Sequence, residues 1–130
     1  SLLSVFLYAM KALDEQERHN LAMNLVGESL KELGYEFIAV NSTLKKHPQF
    51  VCEKDRKRIF VVVQAFAYPD HPELPLAVMD KMSAHAQTFN AQTFFAGVGL
   101  QNTQDPTLPL YLNEPYTVVY TGLIPYETVD

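Results

Sequence analysis

The chain has 130 residues, 48% of them hydrophobic and 19% charged, which suits one domain with one buried core and excludes an apolar-poor, charge-rich disordered chain. A formal charge of −5 argues against general affinity for nucleic acid, because phosphate neutralisation supplies most non-specific binding. A single cysteine, Cys52, can form no internal disulfide and cannot supply the four thiolates of an iron–sulfur cluster, so a reducing, cytoplasmic compartment is expected.

The apolar run at residues 2–10 is about half the length of the roughly 20 residues that a spanning helix needs. It also lacks the basic start and small-residue cleavage site of a secretory signal. Neither a membrane anchor nor a leader is expected here, but a helical extension packed on the core or on a partner. Asp14 and Glu17 then have the spacing of a capping box, which opens a helix. Leu21, Ala22, Leu25, Val26, Leu30 and Leu33 recur at three- and four-residue steps, building one buried stripe until Gly34 supplies a left-handed stop.

Residues 35–40 are aromatic and β-branched enough for a strand, and 41–48 form a turn. A second short strand covers 49–53, and a charged tight turn at 54–57 leads into a third strand at 59–66. Ile59, Phe60, Val61, Val62 and Val63 follow one another without a polar break, as in a strand covered on both faces; this one is expected to be central. Three prolines in 68–75 make a connecting loop, with Pro75 suited to a first helical turn. Leu76, Met79, Met82, Ala86 and Phe89 mark the face of the helix that follows, its methionines serving as core filler. A strand at 93–100 carries Gly97 and Gly99, which suggest close backbone approach. A loop runs to Pro115, a last strand occupies 116–121, and the remaining residues are expected to fray.

The resulting order is α-β-β-β-α-β-β in one domain over 1–130, with a helical extension at 1–13 and a core at 14–124. Three strands joined by tight turns imply an antiparallel meander, and a strand, a helix and another strand imply a right-handed parallel crossover. The expected fold class is therefore α/β, a mixed five-stranded sheet between helices in three layers.

That succession, with Pro48 opening the second strand, resembles the PD-(D/E)xK superfamily, the restriction-endonuclease-like fold, over residues 15–121. In active members a Pro-Asp pair opens the second strand and an acid-x-Lys triplet ends the third; the carboxylates hold magnesium and the lysine helps to activate water. The resemblance places Gln49 where the aspartate would stand, and Val62 and Gln64 where the acid and the lysine would. Glu28, near the end of the first helix, corresponds to an accessory acid of some members. The implied pocket of Glu28, Gln49, Val62 and Gln64 is degenerate, since a neutral amide and a valine cannot balance a divalent cation. The chain is also similar to small bacterial proteins assigned to a sodium-translocating NADH:quinone reductase as its component with a ferredoxin joined to a flavin reductase. That assignment would require several cysteines and a far longer nucleotide fold, and Cys52 alone cannot hold the cluster.

Other chemistries find less support. His19, His47, His71 and His85 show no close metal-ligand spacing, and Cys52, five residues past His47, reads as a small buried hydrophobe rather than a nucleophile. Gly97 and Gly99 lack the third glycine and the helix of a dinucleotide loop. Ser29 and Ser83 lie within helices, without the strand-to-helix elbow of a hydrolase nucleophile. Lys45, Lys46, Lys54, Arg56, Lys57 and Arg58 concentrate six of the ten basic residues in one stretch; such a cluster reads as a solvated edge that discourages strand pairing, with a phosphate-contacting patch as its alternative. Tyr111, Tyr116, Tyr120 and Tyr126, with Pro109, Pro115 and Pro125, close the core and offer aromatic anchors for a protein partner or a homodimer.

Two functions from different classes are thus expected to compete. One is a non-catalytic binding or assembly module on a nuclease-like scaffold, without cofactor or metal. The other is a divergent metal-dependent nuclease whose acids have moved to positions such as Glu28, Glu53 and Asp55.

Overall fold

The computed structural model describes residues 1–3 and 11–128. Helix α1 spans Glu15–Glu32. The capping box forms as its sequence requires: the Glu17 N–H donates to Asp14 Oδ1 at 2.8 Å, and the Asp14 N–H donates to Glu17 Oε1 at 3.1 Å. At the other end Gly34, with φ of 90°, lets Tyr35 N–H reach Leu30 O and Gly34 N–H reach Lys31 O, a reciprocal closure of the last free carbonyls. His19, Ala22, Met23, Val26 and Leu30 form the buried face. Leu33, expected in that stripe, is the C-cap residue and 48% exposed.

The strands are β1 (Glu36–Val40), β2 (Phe50–Lys54), β3 (Lys57–Ala67), β4 (Gln92–Asn102), β5 (Tyr116–Val119) and β6 (Ile124–Tyr126), with helix α2 (Leu76–Gln87) between β3 and β4. Their order across the sheet is β1-β2-β3-β4-β5, with β6 also on β4. The first three pair antiparallel and β3 pairs β4 in parallel, so the meander and the crossover read from the sequence are both present. The apolar run of β3 is central. Strand alternation sends Ile59, Val61 and Val63 into one core cluster with α1, and Phe60 and Val62 into another with Met79, Met82 and Ala86 of α2. The helices thus cover opposite faces.

Two expectations need correction. Among the described residues the sheet has six strands, not five, and Ile124–Tyr126 form a strand instead of fraying. The antiparallel partners of β5 on β4 are only Gly99 to Asn102, which leaves the edge at Thr93, Phe94 and Phe95 open. Gly122, at φ of 99°, turns the chain so that Tyr126, Pro125 and Ile124 pair with those three residues, and the Tyr126 hydroxyl bonds the Asp80 carboxylate of α2. The helical run expected at 2–10 lies mostly outside the described residues. At 11–13 the chain reaches the core through backbone pairing: Ala12 bridges Tyr111, and the Leu13 N–H donates to Leu110 O at 2.8 Å.

Gly97 fulfils the expected close approach. A Cβ there would lie 2.7 Å from the Phe95 ring and 3.0 Å from Pro72, so the loop before α2 rests directly on β4.

Candidate functional site

The position of the main cleft follows from unequal strand lengths. The pairing of β2 with β3 ends at Phe50 and Val61, whereas β3 stays paired with β4 as far as Ala67 and Leu100. Six residues of β3 therefore run on without a strand on the β2 side. The notch this leaves is a cleft of about 830 Å³, within the range of roughly 300–1,000 Å³ common for small-molecule sites. It is bounded by the first turns of α1, by the loop between β1 and β2, and by the proline-rich loop between β3 and α2.

Gln49 sits at its base, fully buried. Its Oε1 accepts the Val63 N–H at 2.8 Å, and its Nε2 donates to Lys46 O at 3.2 Å. Its backbone is spent as well, the N–H on Val61 O at 3.0 Å and the carbonyl on Asn41 N–H at 2.8 Å. The side-chain amide thus supplies the acceptor that β2 no longer offers once its strand has ended. Nε2 also lies 2.8 Å from His47 Nδ1. His47 Nδ1 is also 3.1 Å from Oε1, so the imidazole meets both ends of the amide.

His19 enters from α1. It is only 3% exposed, lines the cleft, and its Nε2 has no hydrogen-bond partner. Burial lowers its pKa from the ordinary 6.5, the neighbouring His47 lowers it further, and Glu15 partly opposes both. His19 is therefore neutral at pH 7. His71, Asp70 and Glu73 join the cleft from the loop before α2, and Lys45 from the β1–β2 loop. The fold thus gathers His19, His47 and His71, which sequence spacing keeps apart, while His85 lies elsewhere between Phe60 and Phe89. Among the described residues no three His, Cys, Asp or Glu side chains are placed to hold a metal ion.

Of the four residues of the degenerate pocket, Gln49 and Gln64 line the cleft. Val62 does not: it is fully buried in the core beneath α2. Glu28 does not either, being exposed in α1 with Lys31 at 3.6 Å. Glu53 pairs with Arg58 at 3.3 Å, and Asp55 sits in the turn between β2 and β3, at the end of β2 away from the cleft. Glu28, Glu53 and Asp55 therefore form no common site. The six basic residues are divided in the same way. Lys45 and Lys46 precede β2, whereas Lys54, Arg56, Lys57 and Arg58 surround the turn that follows it, a strand length of roughly 17 Å away. Lys54 caps α1 there, its Nζ donating to Leu33 O at 2.5 Å.

A family model for a domain of unknown function, DUF8840, matches residues 16–126. The chain belongs to this family. The DUF8840 match runs from the first turn of α1 to the end of β6, so every cleft residue named above except Glu15 lies within it. No curated protein and no solved structure matches the chain. The remaining side chains weighed in the sequence have structural surroundings in this DUF8840 domain. Cys52 is fully buried and its thiol is pushed up to about 11 by burial, and Ser83 Oγ accepts the Thr128 N–H at 3.2 Å. Among the described residues no helix is long and apolar enough to cross a membrane.

The sequence does not mark Glu15, Arg18, His19, His47 or the acids of the β3–α2 loop as members of one site. Glu15 and His19 are one helical turn apart, ahead of the apolar stripe, which is a usable signal. The others lie mostly in loops whose paths depend on where β2 stops.

Proposed function

We propose that the protein is a non-catalytic binding module on a nuclease-like scaffold, and that the notch where β3 outruns β2 is its ligand site. The observation that carries this reading is the employment of Gln49. Where the resemblance implies the first metal-binding carboxylate stands a buried amide whose oxygen and nitrogen are both committed to backbone partners. A carboxylate cannot donate to Lys46 O, and a hard cation needs converging charged oxygens. The antiparallel meander followed by a parallel crossover supports the scaffold half of the proposal, and the volume of the cleft and the unpartnered His19 Nε2 support the binding half.

Calorimetric titration with magnesium and manganese, run beside cleavage assays on single- and double-stranded DNA and RNA, tests it. The expected result is no saturable heat and no cleavage. Metal-dependent cleavage abolished by Gln64→Ala or Glu15→Ala would replace the binding module with a nuclease.

A further inference from the structure

Among the described residues the charges around the cleft have no ion-pair partners. Glu15, Arg18, Lys45, Asp70 and Glu73 all line it. They are also sorted by element. The bases Arg18 and Lys45 come from α1 and the β1–β2 loop, whereas Asp70 and Glu73 come from the separate loop before α2; Glu15, on α1, breaks the pattern. Two bases and three acids nearly balance, so the cleft as a whole favours neither simple anions nor simple cations. A ligand with both charges meets both groups of side chains at once, whereas a singly charged one meets only one of them. Deeper in, the buried His19 Nε2 lacks any partner, and buried polar groups are normally satisfied by protein, water or ligand.

We infer that the cleft binds a small zwitterion, an α-amino acid or a short peptide. Its ammonium group faces Asp70 and Glu73, its carboxylate faces Arg18 and Lys45, and a hydrogen-bonding group of the ligand meets His19 Nε2. This inference rests on the ligand-site reading above and assigns that site its chemical class.

Amide spectra of the ¹⁵N-labelled full chain, titrated with the common L-amino acids and glycylglycine, test it. Each zwitterion is matched by its N-acetyl and its C-amide derivative, and inorganic phosphate and adenosine serve as non-zwitterionic probes. At least one zwitterion is expected to shift the amides of Lys45, Gln49, Asp70 and Glu73 saturably, and each singly charged derivative to bind on the order of tenfold weaker or more, as loss of a charged hydrogen bond requires. The double substitution Asp70→Asn with Glu73→Gln, both exposed, is expected to weaken the zwitterion by a similar factor and to leave its N-acetyl derivative unchanged. Equal affinity for the blocked derivatives, or binding of phosphate or adenosine alone, overturns the zwitterion and leaves the ligand site standing. Silence of these amides towards every zwitterion also overturns it, and if phosphate and adenosine leave them unmoved as well, the ligand-site reading falls too.

Discussion

The side-chain oxygen of Gln49 accepts the backbone N–H of Val63 at 2.8 Å, and so extends the hydrogen bonding of β3 beyond the last residue of β2 that pairs with it. Val63 is 1% exposed. Truncation in Gln49→Ala leaves that N–H and Lys46 O short of partners and opens a void. A loss of roughly 2–4 kcal/mol is expected, read as a lower urea midpoint at unchanged slope. A loss under about 0.5 kcal/mol, the level of an ordinary surface substitution, would mean that the amide does not hold the strand.

Stability should fall with acid in a way that depends on His19. Its folded pKa lies below the unfolded value near 6.5, so below that pH the unfolded chain binds more protons than the folded one, and stability decreases as pH falls from about 6.5 through the folded pKa. Above pH 6.5 the contribution is complete. In His19→Gln, urea unfolding at pH 5 and pH 8 should give values closer together than in the native sequence. An unchanged difference would assign the acid sensitivity to other groups.

Much of this fold is legible in the chain because local signals agree with the packing. The Asp14 and Glu17 box, the stop at Gly34 and the unbroken run from Ile59 to Val63 each give the right element in the right place, and two glycines on one strand point to the approach of Pro72. The sixth strand is not legible. Ile124, Pro125 and Tyr126 are too short a run to signal a strand, and they pair only because β5 leaves half of one edge of β4 free. The candidate site is legible at Gln49 and Gln64, which line the cleft; Val62 shares the strand face of Gln64 but lies one pair nearer the middle of the strand, where α2 covers it. Glu28 lies outside the cleft for a different reason, since it sits on the exposed side of α1, two turns beyond His19.

At Gly97 even a methyl group would meet the Phe95 ring at 2.7 Å. The ring is held among α2 residues in the core and cannot retreat freely. Gly97→Ala is expected to cost about 1–3 kcal/mol and Gly97→Val more, measured by thermal or urea unfolding. A neutral Gly97→Ala would show that Pro72 and the loop before α2 yield.

Cys52 offers a check on the packing beneath α1. With no exposed surface and a thiol pushed up to about 11, it is expected to resist iodoacetamide at pH 7.5 in the folded protein and to react at the rate of a free thiol in denaturant. Rapid alkylation of the native chain would place the cysteine at the surface.

Most directly at issue is whether the cleft at Gln49 lacks a site for a divalent cation. Near-stoichiometric Mn²⁺ added to the ¹⁵N-labelled protein answers this through paramagnetic broadening of amide signals. No selective loss of the His19, His47, Gln49 and Gln64 amides is expected. Selective broadening of that group, competed away by Mg²⁺ and abolished by Glu15→Ala, would contradict a metal-free binding cleft.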